Sequence, residues 1–232
     1  MIDLCLNNQN KEIEIALDDD VSVELSNGAS LLLKLININK AKNVEISAKI
    51  GENCTFNVIF ADFSKGDINV KSDVKLVARK AICEWHLATL SSASSVKKFD
   101  INFYHEVGET KALMDNYGVA KDTSNIIFTG VNHIKEHAKK SETHQKAKII
   151  LFDKDASGTA SPVLKIDEND VIASHGAIVG QLNSDHMFYL MSRGLSKADA
   201  KELITRGYLE PICKHFSDSN KELLLNAIKE AM

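Results

Sequence analysis

SHGAIVGQLNSDHMFYLMSRGLSKADAKELITRGYLEPI, residues 174–212, changes character in its middle. It opens as a β-type segment holding one histidine, His175, and continues as short, well-punctuated helices. Asn183 or Ser184 is placed to cap a first helix through Met191, ended by Arg193-Gly194, where glycine suits the left-handed position after a helix. Ser196 caps a second helix, with Asp199 three residues on, and Gly207 is expected to end it. Residues 209–216 read as a third helix with Pro211 in its first turn. Ser219 with Glu222 opens a fourth, whose Leu224, Leu225 and Ile228 form an apolar stripe. Helices this short do not persist alone, so packing must hold them. Capping the open end of a β stack is the role expected of them, because a terminal strand otherwise exposes unpaired backbone groups.

Toward the N-terminus, from about residue 21 to 177, short β-type runs alternate with polar or charged turns. Examples are Val21-x-Val23-x-Leu25, Val44-x-Ile46-x-Ala48-x-Ile50, Ala81-x-Cys83-x-Trp85-x-Leu87 and Phe99-x-Ile101-x-Phe103. Alternation means one face buried and one solvated. The recurrence suits a sandwich, a barrel or a stacked β-solenoid. A content of only two prolines and eleven glycines is lean for a protein built on tight hairpins, which leans toward the solenoid. The repeat is loose and carries no hexapeptide motif. Residues 7–20 read either as a first rung or as a loose leader.

The 232 residues are enough to bury a real core. Acidic residues number 32 against 28 basic ones, which gives no support to general binding of nucleic acid or anionic membrane. The first twenty residues lack the basic start and apolar run of a secretory signal, and no stretch approaches a membrane span, so a cytoplasmic protein is expected. Cys5, Cys54, Cys83 and Cys213 lie far apart with no CxxC pair and read as small core residues rather than a disulfide or cluster framework. Nucleotide-binding, nucleophile-elbow and HExxH motifs are missing, and no pair of carboxylates is distinguished by spacing.

Over roughly residues 125–212 a series of motifs resembles the SufB/SufD family, scaffold proteins of the SUF system for iron–sulfur cluster assembly. Ile126-Ile127-Phe128-Thr129-Gly130-Val131 looks like that family's aromatic–x–Gly rung, and His144-Gln145 like the end of its A/H-Q turn. Ala160-Ser161-Pro162-Val163-Leu164-Lys165-Ile166 is similar to its x-x-Pro-x-Leu-x-Ile strand. Asp170-Val171, Ser174-His175-Gly176-Ala177 and Gly180-Gln181-Leu182 resemble the SufD version closely. Phe188-Tyr189-Leu190, Ser192-Arg193-Gly194-Leu195 and Ala200 complete the order. The resemblance implies a mainly β fold, a β-helix core over residues 1–182 with a small α-helical domain over 183–232. The 232 residues are fewer than usual members have, and a chain without their N-terminal helical region is expected. Where the SufB branch has a cysteine and a glutamate, Ala147 and Gly176 stand here, so the thiolate chemistry of that branch is expected to be absent.

The same resemblance implies a non-enzymatic scaffold with no permanently bound cofactor and a transient iron–sulfur cluster at a subunit interface. It implies two partners, a SufC-type ABC ATPase and a SufB-like subunit or a second copy of the chain. His175 is then the cluster-assembly residue at that junction and a metal ligand, since imidazole nitrogen binds iron and zinc well. The helical tail is the ATPase surface, through Phe188, Tyr189, Arg193 and Tyr208. From the residues alone, those aromatics and Phe216 read equally well as core. His133 and His137 stand four apart, but residues 130–140 fall between β runs and are lysine-rich, which suits a solvated turn. Two alternatives stand beside the scaffold subunit: a minimal homodimer that holds the nascent cluster itself, and an independent carbohydrate-active β-helix enzyme.

Overall fold

The computed structural model describes residues 1–38 and 42–231, and it is a parallel β-solenoid with three C-terminal helices. One sheet is built from β1 (Ile2–Asn7), β3 (Val21–Ser26), β5 (Lys42–Ile50), β7 (Ile68–Leu76), β9 (Val96–His105), β11 (Asn125–Ile134) and β13 (Ser157–Ile166), in that order. The other runs β2 (Asn10–Ala16), β4 (Ser30–Asn37), β6 (Thr55–Asp62), β8 (Ile82–Ser91), β10 (Lys111–Ala120), β12 (Glu142–Leu151) and β14 (Ile172–Gln181). The chain thus passes from one sheet to the other at every strand. Residues 7–20 are part of the stack, since β1 pairs with β3 and β2 with β4.

In a parallel stack, paired residues point the same way, so alternation along each strand becomes columns running down the solenoid. One inward column of the first sheet is Leu4, Val23, Ala48, Val74, Phe103, Asn132 and Leu164. Facing it in the second sheet is Ile13, Leu33, Val58, Trp85, Met114, Gln145 and His175. The large side chains in the middle, Phe56, Phe60, Trp85, Phe99 and Phe103, are fully buried, and Phe60, Phe99 and Phe128 meet ring to ring at centroid distances of 5.9 and 5.7 Å. The sparse glycine content has its explanation at the corners. Asn8, Asn27, Asn53, Lys80, Glu109 and Lys140 take left-handed backbone angles between successive strands, so ordinary residues do what hairpin glycines do elsewhere. Gly130 is the opposite case: a Cβ there would lie 2.0 Å from the Ile101 carbonyl oxygen. The two backbones pinch at that point, and the Val131 N–H donates instead to Asn102 Oδ1 at 2.9 Å.

One charged pair is sealed inside. Lys97 Nζ donates to Asp62 Oδ2 (2.8 Å) and to the Ser64 carbonyl (2.9 Å), and neither side chain reaches solvent. Asn37, Ser64 and Thr89 also donate to the Asp62 carboxylate, so every charge here has a partner, as burial requires.

The helices are α1 (Ser184–Ser192), α2 (Lys197–Cys213) and α3 (Asp218–Glu230). Asn183 caps α1 by accepting from the Asp185 and His186 N–H groups, and Gly194 follows it at φ +94°. Three expectations are corrected. First, α2 runs through Gly207 and Pro211 without a break, because Thr205, Leu209, Ile212 and Cys213 bury one continuous face while the glycine and proline sit on the exposed one. Second, α3 begins after Ser217, not Ser219. The Ser217 hydroxyl makes no cap bond and donates instead to Glu14 Oε1 at 2.6 Å, on β2. Third, α2 and α3 do not cap the end of the stack. They lie on the outer face of the second sheet, where Leu209, Ile212, Phe216, Leu224 and Ile228 join Ile36, Ile59, Ala61, Ala88, Leu90 and Ile150 in a second core. Lys201 to Asp153 (2.8 Å) and Lys65 to Glu230 (3.0 Å) tie the edges of that layer. Among the described residues no helix is long and apolar enough to cross a membrane.

Candidate functional site

With α2 and α3 on the flank, the last turn of the solenoid stays open. β14 pairs with β12 alone and β13 with β11 alone, so each leaves one edge of backbone groups unpaired. The inward residues of this turn, Ala160, Pro162 and Leu164 on β13 and Ala173, His175, Ala177 and Val179 on β14, have a turn of solenoid beneath them and none above. Around them Val163, Ile166, Ile172 and Ile178 are exposed, Ile172 by 62%. An apolar patch on an open parallel edge is a surface made for covering.

His175 lies at the centre of this end. Its neighbour Ser174 faces outward, where its hydroxyl shares a 2.6 Å hydrogen bond with His144 Nδ1, and that fixes the alternate residue, His175, to the inner side. His144 Nε2 in turn meets Glu142 Oε1 at 3.1 Å, and Glu142 pairs with Lys111 at 2.9 Å. Hydrogen bonds from Lys111 and His144 hold the Glu142 carboxyl below its usual range. Ala147 is inward and buried next to this turn, paired with Ala177; Gly176 points outward with Lys146. His144 and Gln145 belong to strand β12 rather than to a turn.

Beneath His175 the lumen turns polar. Gln145 Nε2 donates to Asn132 Oδ1 at 2.7 Å and approaches the Gly130 carbonyl at 3.4 Å, while Asn132 Nδ2 donates to Thr143 Oγ1 at 2.5 Å. A carbonyl only accepts, so the Gly130 oxygen fixes which end of the Gln145 amide is nitrogen. That sets the direction of the whole chain and leaves Gln145 Oε1 buried with no partner. Gln145 stands out in the sequence only as part of the His144-Gln145 motif, and Asn132 and Thr143 not at all. The signal was a polar residue at an inward alternation position on two strands facing each other, which only the column register reveals.

The helical tail presents a second surface. Phe188 is 75% exposed and Tyr189 55%, with Arg193 over the Tyr189 ring at 5.3 Å. Tyr208 is half-buried under Lys148, whose Nζ stands 4.6 Å from its ring centre, and Phe216 is core. Behind Tyr208, a cleft of about 330 Å³ separates α2 from β8 and β10, with His86, Asp115, Tyr117 and His215 on its walls.

Other expected ligands are scattered. His133 is on strand β11, not in a turn, and its Nε2 donates to Asp167 Oδ2 at 2.6 Å; His137 is exposed in the following corner at φ +69°. Cys54, Cys83 and Cys213 are buried and Cys5 is exposed, and burial pushes the Cys213 thiol up to about 12. No three His, Cys, Asp or Glu side chains converge as a metal site among the described residues. One imidazole alone cannot hold a cluster.

The family model described as "SUF system FeS cluster assembly, SufBD core domain" matches residues 8–208. The iron–sulfur cluster assembly protein SufD of Bacillus subtilis is 30% identical over 161 residues, covering 58% of this chain and 37% of that protein. SufD of Plasmodium falciparum is 25% identical over 178 residues, 75% of this chain and 12% of that one. A SufBD family protein of Staphylococcus saprophyticus is 26% identical over 110 residues, 47% and 24% of the two chains. The chain therefore spans well under half the length of these relatives.

Proposed function

This chain belongs to the SufBD core-domain family of the SUF system, and on that premise we propose that it is a SufD-like scaffold subunit rather than an enzyme. In this reading residues 1–182 are the β-helix domain, which pairs through β13 and β14 with a SufB-like chain. Residues 183–232 form the helical domain, which holds a SufC-type ATPase through Phe188, Tyr189, Arg193 and Tyr208, in the cytoplasm. The open end of the solenoid carries the proposal: an unpaired parallel edge, an exposed apolar rim and one inward imidazole. A partner strand laid on β14 satisfies its backbone groups and covers Ile172 and Ile178. His175 then meets the partner's ligands around a nascent iron–sulfur cluster, the assembly's cargo, held only in transit. Ala147 supplies no thiolate, which supports a subunit that relies on its partner for sulfur.

Co-purification with the SufC-type ATPase of the same source tests the assembly, with Phe188→Ala as the matched variant. Association in the wild type and its loss in the variant are expected; failure of the wild type to associate removes the ATPase from the reading. Replacing His175 by alanine should leave the complex intact and lower cluster formation, and an unchanged cluster yield removes His175 from the site. A self-paired scaffold would use the same edge, and the mass of the chain alone in solution separates it from a heterodimer.

A further inference from the structure

Gln145 Oε1 is buried, points into no hydrogen bond, and belongs to a side chain whose other end is fixed. In the column it occupies, the neighbour on one side is Met114, whose thioether donates nothing. On the other side is His175, whose ring carries an N–H in either neutral tautomer. A buried acceptor without a partner loses the full worth of its lost hydration, so a donor within one strand spacing is strongly drawn to it. The ring of His175 is exposed and not held by any other side chain, which leaves it free to turn inward. We propose that Gln145 is a positioning residue for His175: its Oε1 accepts one ring N–H, which fixes the tautomer and leaves the other ring nitrogen with its lone pair facing the open end. The direction comes from the chain Thr143, Asn132, Gln145, anchored on the Gly130 carbonyl, which a shallower reading of His175 as a lone exposed histidine overlooks. Metal-binding histidines are held in this way by an acceptor on their second nitrogen. The use of the free nitrogen for a cluster rests on the scaffold reading above; the hydrogen bond itself does not.

The competing occupant is water. Beside Gln145 a void of about 10 Å³, bordered by Met114, Asn116, Ala147 and Pro162, is at the lower limit for a single molecule. Ring-nitrogen NMR of ¹⁵N-histidine-labelled chain, about two pH units above the ordinary imidazole value near 6.5, reads the tautomer of each neutral histidine directly. The His175 signal is assigned by its loss in His175→Asn. In the wild type a single dominant tautomer is expected. Gln145→Leu should shift the ratio by about five-fold toward that of free imidazole, the size one net hydrogen bond gives. Gln145→Glu should restore the wild-type tautomer: Asn132 rotates to donate to the new carboxylate, Thr143 donates to Asn132, and an acceptor remains beneath the ring. The buried His105 signal, unchanged in all three, certifies the fold. A free-imidazole ratio in the wild type, or an unchanged ratio in Gln145→Leu, overturns the proposal and leaves the acceptor to water. These outcomes are independent of ATPase association: a fixed tautomer with no assembly would remove the scaffold reading alone.

Discussion

Among the described residues two histidines occupy inward register positions of this solenoid, and they have opposite fates. His105 is on the inward column Leu76, His105, Ile134, with a strand on each side, and is fully buried. Its Nδ1 shares a 2.7 Å hydrogen bond with Thr110 Oγ1, its Nε2 has no partner, and burial lowers its pKa to about 4. It is a neutral structural group at any physiological pH. His175 has the same inward register on the terminal strand β14, and no further strand covers it. Residue type and facing are alike; the absence of one more rung converts an imidazole from filler into an available ligand. The facing column changes along the stack, from Leu33, Val58 and Trp85 in the middle turns to Gln145 in the last closed turn and His175 in the open one.

The largest effect expected from this difference is in packing. Phe60→Ala removes a fully buried ring from the closed interior and should cost about 3–5 kcal/mol in urea unfolding. Val179→Ala truncates an inward side chain of the open turn and should cost no more than about 0.5 kcal/mol in the isolated chain. Equal costs would mean that the end is already closed, by self-association. The next effect is electrostatic. Between pH 6.5 and about 4 the unfolded chain takes up a proton that folded His105 refuses, so stability falls as pH drops through that window and levels off below it. The loss amounts to roughly 3 kcal/mol across the window. His105→Gln, which keeps a side chain able to reach Thr110, should remove this slope from a series of unfolding curves. His175→Gln should leave the slope in place, and a slope shared between them would erase the contrast.

Much of this was legible before any coordinates. Alternation located most of the strands, and the scarcity of glycine and proline argued correctly against hairpins. The motifs in residues 125–212 pointed to the family that the comparisons show. The position of the helices was misread, although a signal existed. Val58-Ile59-Phe60-Ala61 and Leu87-Ala88 break alternation with consecutive apolar residues, the mark of strands covered on both faces. Those runs line up across β4, β6 and β8 and form the bed on which α2 rests. Local propensity makes Gly207 a helix end and Pro211 a first-turn residue of a new helix; burial of Leu209 and Ile212 overrides it. The chain from Thr143 to Gln145 could not be seen at all, since its members become neighbours only once β11 and β12 face each other across the lumen.

The smallest expected effect concerns the corners of the closed turns. Ala93 holds φ +55°, and its N–H donates to Asp122 Oδ2 at 2.8 Å, while the Asp122 N–H donates to Asp153 Oδ2 at 2.9 Å. Each corner is thus pinned by the one that follows, up to Asp153 and its ion pair with Lys201. Alanine gains nothing from its methyl group in this geometry and carries the steric penalty of the left-handed region, which glycine avoids. Against that stands the greater freedom glycine has when unfolded, so Ala93→Gly should stabilise by no more than about 1 kcal/mol. The increase should appear as a higher unfolding midpoint with the His175 tautomer unchanged, because the substituted corner belongs to the closed part of the stack. A change at His175 would mean that the corner ladder transmits strain to the open end, and the two histidines would then no longer be independent.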